Sequence, residues 1–170
     1  MVEEDYNKKY TKEQVWGFLK EIPDPEIPVI TIEELGVLRD VEVTPTKVIV
    51  TITPTYTGCP AMKMFEDDII STLKQHGIEN TEIKMVYSPA WTTDWMTKEA
   101  KDKLREYGIA PPVDGSADKG VLFANGPKIV VCPRCKSENT ILKSQFGSTA
   151  CKALYSCKDC LEPFDYFKCI

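Results

Sequence analysis

The sequence predicts an α/β (α+β) protein: helices and strands in an N-terminal domain, then a small C-terminal β zinc ribbon. Three observations carry this reading. Before residue 108, segments with helical apolar spacing alternate with segments of strand character. After residue 131, six of the seven cysteines are concentrated, four of them as two Cys-x-x-Cys pairs. Between the two lies a stretch of Pro-Pro, Asp-Gly-Ser and Lys-Gly with few apolar residues, which reads as a linker. The expected organisation is a domain over 1–108, a linker over 109–127 and the ribbon over 128–170.

Thr11-Lys-Glu-Gln14 is a capping box and opens a helix to about Glu21, with Val15, Phe18, Leu19 and Ile22 as its apolar stripe. Pro23-Asp-Pro-Glu-Ile-Pro28 has three prolines in six residues, which excludes helix and central strand. This fixed loop presents two carboxylates, Asp24 and Glu26. Gly36 to Val43 and Lys47 to Thr53 read as strands joined by a turn at Thr44-Pro-Thr46, a hairpin. A helix then runs from Cys59-Pro60 to His76 on Met62, Phe65, Ile69, Ile70 and Leu73, and Gly77 ends it. Thr81 to Tyr87 is a third strand. Trp91-Thr-Thr-Asp-Trp95 is a loop that either caps the next helix or rims a site. That helix spans Thr97 to Tyr107 and closes at Gly108. In the ribbon, the strand-like runs are Lys128–Val131, Ile141–Phe146, Lys152–Tyr155 and Phe164–Phe167.

Composition narrows the function. At 42% hydrophobic and 28% charged residues, the chain is neither collagenous nor disordered. No apolar run approaches the roughly 18 residues of a membrane span. The N-terminal residues show no secretory signal, so a cytoplasmic protein without a membrane partner is expected. A net charge of −5 argues against a nucleic-acid partner, which requires a basic footprint. Residues 128–170 carry a formal +3 against −8 for residues 1–127, so two units with different surfaces are expected.

Cys132-Pro-Arg-Cys135 and Cys157-Lys-Asp-Cys160 have the spacing of paired metal knuckles. Two thiolates three positions apart reach one tetrahedral ion from a tight turn, and a second turn closes the site. Four thiolates leave no open coordination position, so the ion, Zn2+ with rubredoxin-type iron as its rival, serves structure. Two thiolate charges left over on zinc reduce the ribbon's positive charge, which favours docking on protein over nucleic acid. Cys151 and Cys169 fit buried or fraying thiols.

Cys59 is the lone cysteine of the acidic domain. With Pro60 at the first helical position, it occupies the N-cap, where the helix dipole is expected to lower its thiol pKa. It is either a reactive thiol or a small residue filling a corner. No catalytic base accompanies it. The single histidine, His76, lies at the far end of the same helix, about 25 Å away. Nucleotide-binding and serine-hydrolase motifs are absent, so neither chemistry has support.

Asp24-Pro-Glu-Ile-Pro-Val29, Glu34-Leu-Gly36, Thr53-Pro-Thr55, Gly58-Cys-Pro60 and Trp91-Thr-Thr-Asp-Trp95 resemble the iron–sulfur assembly family that includes SufT, over about residues 11–107. Phe146-Gly-Ser-Thr-Ala-Cys-Lys-Ala-Leu-Tyr155 and Glu162-Pro-Phe-Asp-Tyr-Phe-Lys-Cys169, with the ribbon, resemble the PaaD family over nearly the whole chain. PaaD-type proteins are accessory to the phenylacetyl-CoA ring-epoxidising monooxygenase of aerobic phenylacetate degradation. The resemblance implies a mixed sheet in the first domain and help in loading iron–sulfur clusters or iron into the epoxidase. It places the reactive cysteine at Cys59, the acidic loop at Asp24 and Glu26, and the threonine loop at Thr53 and Thr55. Its implied partners are the oxygenase subunits, with a diiron centre, or the reductase, with a [2Fe–2S] cluster.

One thiolate per chain leaves a cluster under-ligated and transferable; a homodimer would supply two, and the remaining ligands would come from a small thiol, a partner or Asp24. The carboxylates Asp24 and Glu26 have a plainer alternative, ordering their loop by accepting backbone N–H groups. Likewise, the carrier reading stands beside that of a non-catalytic adaptor with a structural Cys59.

Overall fold

A computed structural model of the chain describes residues 5–113 and 129–168. Residues 114–127 of the expected linker, Lys128 and Cys169 lie outside them. The chain divides into two compact units, Met1–Trp91 and Thr92–Ile170.

The first unit opens with α1 (Tyr6–Lys9), too short to leave a period in the sequence. Buried Tyr6 anchors it, and the Tyr6 amide donates to the Pro45 carbonyl. α2 (Lys12–Leu19) begins at the expected capping box, in which Thr11 Oγ1 accepts from Gln14 N–H and Gln14 Oε1 accepts from Thr11 N–H. β1 (Leu38–Val43) and β2 (Val48–Ile52) form the antiparallel hairpin, and Thr44 Oγ1 closes its turn onto the Lys47 carbonyl at 2.7 Å. α3 (Ala61–Gln75) then crosses over so that β3 (Thr81–Met85) pairs with β2 in parallel. A parallel neighbour requires such a crossover. The sheet is therefore mixed, in the order β1-β2-β3.

α2 packs on α3 and β1, and α3 on β3. Val15, Leu19, Val50, Ile52, Phe65, Ile69 and Leu73 fill the core with at most 2% exposure. This topology brings residues 53–60 to the carboxyl end of β2, next to a parallel strand, where α/β sheets commonly build sites.

The second unit begins with a 3-10 turn at Thr93–Trp95, followed by α4 (Lys98–Tyr107). Thr97 caps α4, and Gly108, at φ 97°, ends it in the left-handed region that glycine adopts freely. Next come β4 (Ile109–Ala110), β5 (Thr140–Ser144), β6 (Lys152–Cys157) and β7 (Pro163–Phe167), in a sheet of order β4-β7-β6-β5. Two sequence expectations change here. Ile109 and Ala110, assigned to the linker, pair with Asp165 and Tyr166 because both are apolar and buried on the ribbon sheet. Residues 129–131 form no strand, since Thr140 reaches the Val130 carbonyl with its hydroxyl instead of a backbone ladder.

The ribbon core contains Ala110, Val130, Ala153, Tyr155, Phe164 and Tyr166, together with Cys132 and Cys157. Tyr155 stacks on Phe164 at 6.0 Å and meets Tyr166 edge-on at 5.6 Å. No helix among the described residues is long and apolar enough to cross a membrane.

Candidate functional site

The four knuckle cysteines converge. The sulfurs of Cys132, Cys135, Cys157 and Cys160 all lie within 4.8 Å of one another. Cys132 and Cys160 are 3.7 Å apart, and Cys135 and Cys157 3.5 Å, far beyond a disulfide bond. A tetrahedral ion with Zn–S bonds of ~2.3 Å sets its ligands about 3.8 Å apart, so this donor set fits a bound divalent metal. Once bound, the metal cross-links the two knuckles.

The knuckles repeat each other. Cys132 N–H donates to the Ser137 carbonyl and Cys157 N–H to the Glu162 carbonyl, both at 2.9 Å. The residue after each second cysteine, Lys136 at φ 65° and Leu161 at φ 63°, is left-handed. Neither is a glycine, so no local residue choice marks these turns in advance. Asp159 ties the knuckles together by accepting from Ser137 Oγ and, at 2.8 Å, from Asn139 Nδ2. These hydrogen bonds lower the Asp159 pKa. Amides of Cys160 and Asp159 hold the Cys157 thiol at about 7. For Cys160, the Glu162 amide pulls down, but burial and the neighbouring sulfurs push the thiol up to about 12.

In the first unit the two loops seen in the sequence meet at Cys59. Gly58, at φ 82°, turns the chain, and Cys59 N–H donates to the Tyr56 carbonyl at 3.3 Å. Because Cys59 belongs to this turn, α3 starts one residue later than expected, with Pro60 as N-cap. Hydrogen bonding from the Tyr56 and Thr55 side chains pulls the Cys59 thiol pKa down, and the Glu26 charge pushes it up. Thr53 and Thr55 are buried. Tyr56, in the middle of Thr55-Tyr-Thr-Gly-Cys59, is a site residue that the sequence reading missed.

The expected lowering of the Cys59 pKa is overturned. Burial pushes the thiol up more than the Ala61 amide and the Tyr56 and Thr55 hydrogen bonds pull it down, and the Glu26 charge adds to the rise. Replacing that charge should therefore reverse part of the shift. Glu26→Gln is expected to speed alkylation of Cys59 by iodoacetamide at pH 8, followed by mass spectrometry of the Cys59 peptide. An unchanged or slower rate would remove Glu26 from the site.

Asp24 accepts from the backbone of its own loop. It is 7% exposed, and its Oδ1 accepts from Glu26 N–H at 2.7 Å and Ile27 N–H at 2.8 Å. Trp91 is a core residue that donates Nε1–H to the Leu35 carbonyl at 2.9 Å, while Thr92 caps the 3-10 turn. His76 is exposed and stacks on Phe18 at 3.8 Å. Cys151 is buried with the Thr149 hydroxyl 3.0 Å from its sulfur.

Comparison with known proteins matches both halves. Residues 12–85 match the family described as iron-sulfur cluster assembly protein, and residues 117–168 the PaaD zinc beta ribbon domain. A protein of Escherichia coli (strain K12), provisionally named as one of the subunits of 1,2-phenylacetyl-CoA epoxidase, is 49% identical over 92% of each chain. The Fe-S protein maturation auxiliary factor YitW of Bacillus subtilis (strain 168) is 34% identical over 55% of this chain and 92% of its own. A crystal structure of a domain of unknown function from Bacillus anthracis is 26% identical, covering 55% of this chain and 90% of that one at a TM-score of 0.49. With one protein matched over nearly its full length and the ribbon matched by its own family model, the chain belongs to the PaaD family.

Proposed function

We propose that this chain is an accessory maturation factor that delivers an iron–sulfur cluster, or iron, to the phenylacetyl-CoA epoxidase. Cys59 is the transient ligand in this reading, and the ribbon, held by structural Zn2+, is the docking module. The observation that carries it is the convergence of Thr55, Tyr56, Glu26 and Cys59 in the segment matching the iron–sulfur assembly family. Asp24 contributes by fixing the loop that presents Glu26. Thr53, buried at the end of β2 with its amide on the Val37 carbonyl, fixes the start of the Cys59 turn. A single cysteine falls short of the four ligands of a [2Fe–2S] cluster, so the cargo leaves easily; a homodimer or the client supplies the remainder. The Escherichia coli relative is provisionally named as a subunit of 1,2-phenylacetyl-CoA epoxidase, which supports other subunits of that enzyme, oxygenase or reductase, as clients.

One observation favours the adaptor reading in its place: burial raises the Cys59 thiol and so disfavours the thiolate that a soft metal requires. Metal and acid-labile sulfide analysis after anaerobic reconstitution, wild type beside Cys59→Ala, decides between the two. The expected result is zinc near one per chain in both proteins, with iron and sulfide in the wild type alone. Zinc alone in both would leave the adaptor.

A further inference from the structure

The four sulfurs of the ribbon are not equally placed. Cys135 is exposed and Cys160 half-buried, whereas Cys132 and Cys157 are buried in the ribbon core. Across the knuckles, each accessible sulfur faces a buried one. Cys135 lies 3.5 Å from Cys157, and Cys160 lies 3.7 Å from Cys132. A thiolate open to oxidant, beside a shielded one that can resolve it, is the arrangement of a redox-sensing pair. Disulfide sulfurs are about 2.05 Å apart, so each pair has only about 1.5 Å to close.

Polar contacts hold the knuckles face to face without help from an ion. Arg134 donates to Glu162 at 2.8 Å, Asn139 Nδ2 to Asp159 at 2.8 Å, and Ser137 Oγ to Asp159. The Lys158 amide donates to the Asn139 carbonyl at 2.8 Å. Each of these contacts runs from one knuckle to the other. They keep Cys135 opposite Cys157, and Cys132 opposite Cys160, when a metal departs.

We propose that the ribbon is a reversible peroxide switch. A hydroperoxide converts its four metal-binding thiolates into two cross-knuckle disulfides, Cys135 to Cys157 and Cys132 to Cys160, and frees the zinc. This rests on the structural-zinc reading above and adds a chemistry to that site. In each pair the accessible thiolate takes one oxygen from hydrogen peroxide, giving a sulfenic acid and a hydroxide. The buried thiolate then attacks the sulfenyl sulfur, the S–S bond forms and a second hydroxide leaves. Each pair thus reduces one peroxide and is oxidised by two electrons. With both pairs joined, no thiolate is left to hold the ion. The new bonds span 22 and 28 sequence positions and replace the metal as the link between the knuckles. Loops of that length constrain the unfolded chain, so the small ribbon core stays folded. A dithiol reductant with zinc restores the first state by thiol–disulfide exchange.

Hydrogen peroxide added to the zinc-loaded full chain tests it, with released zinc read by a chromogenic chelator. About one zinc per chain should be released, and dithiothreitol with added zinc should reverse the release. Non-reducing peptide mapping should find the two cross-knuckle disulfides. Dimedone present during oxidation should label Cys135 and Cys160 rather than the buried pair. Amide resonances of 129–168 should stay dispersed after oxidation, yet collapse when a chelator strips the zinc under reducing conditions. Disulfides within the knuckles, Cys132 to Cys135 and Cys157 to Cys160, would overturn the proposal. So would zinc retained through oxidation, sulfinic acids in place of disulfides, or collapse of the ribbon after peroxide. A chain that takes up no zinc would overturn the structural-zinc reading, and the switch with it.

Discussion

Cys157→Ser is expected to lose its bound metal and unfold the ribbon while the first unit melts as in the wild type. The sulfur of Cys157 lies 3.5 Å from that of Cys135, and the residue is 1% exposed within the ribbon core. That core is small: about forty described residues share the cluster of Val130, Ala153, Tyr155, Phe164 and Tyr166. Domains of this size seldom fold without a metal or disulfides. Structural zinc in comparable modules contributes about 10–16 kcal/mol of apparent binding free energy, more than such a core holds in reserve. Serine is a poor zinc ligand, and three thiolates do not close the tetrahedron. Loss should reach β4, since Ile109 and Ala110 have their ladder on β7. The check is zinc by mass spectrometry beside amide NMR spectra: resonances of 129–168 should collapse, with those of 12–85 unmoved. Full zinc content with intact Tyr155 and Tyr166 packing would show that the site tolerates three thiolates. Collapse of the whole spectrum would show that the two units fold as one.

Much of this molecule was legible in local sequence. The capping box at Thr11, the glycine stops at Gly77 and Gly108, and the Cys-x-x-Cys spacing are decided within a few residues, and each appears in the structure. What stayed hidden depends on distant partners. β4 exists only because β7, more than fifty residues later, offers it an edge. Residues 129–131 have strand-like composition but no ladder. The clearest case is Cys59. Its local context, a proline at the start of a helix, argues for a stabilised thiolate. The outcome is set by burial and by Glu26, thirty-three residues away, which together reverse the sign. Asp24 shows the opposite situation. A carboxylate between prolines is open to a ligand role or a loop role, and its Oδ1 accepts from the Glu26 and Ile27 amides, contacts that no local pattern announces.

Those two hydrogen bonds make Asp24 the second position where a large effect is expected. Asp24→Ala removes the acceptor of two backbone N–H groups in a residue only 7% exposed. Hydrogen bonds to a charged group contribute about 1.5–3 kcal/mol each, and a buried amide left without a partner adds its desolvation cost. A loss of about 3 kcal/mol from the stability of the first unit is expected, read as a lower urea midpoint with the slope unchanged. Asp24→Asn keeps an oxygen in the same place and can accept from the same amides, so it should cost about 1 kcal/mol, the difference between a charged and a neutral acceptor. The pair of variants separates the two roles the sequence left open. If Asp24 ligated a metal instead, Asp24→Asn would abolish iron uptake with stability unchanged. If it braces the loop, Asp24→Asn retains iron uptake, and the main effect of Asp24→Ala is on stability. In that case the Cys59 alkylation rate should rise in Asp24→Ala too, because the loop that holds the Glu26 charge near the sulfur has lost its anchor.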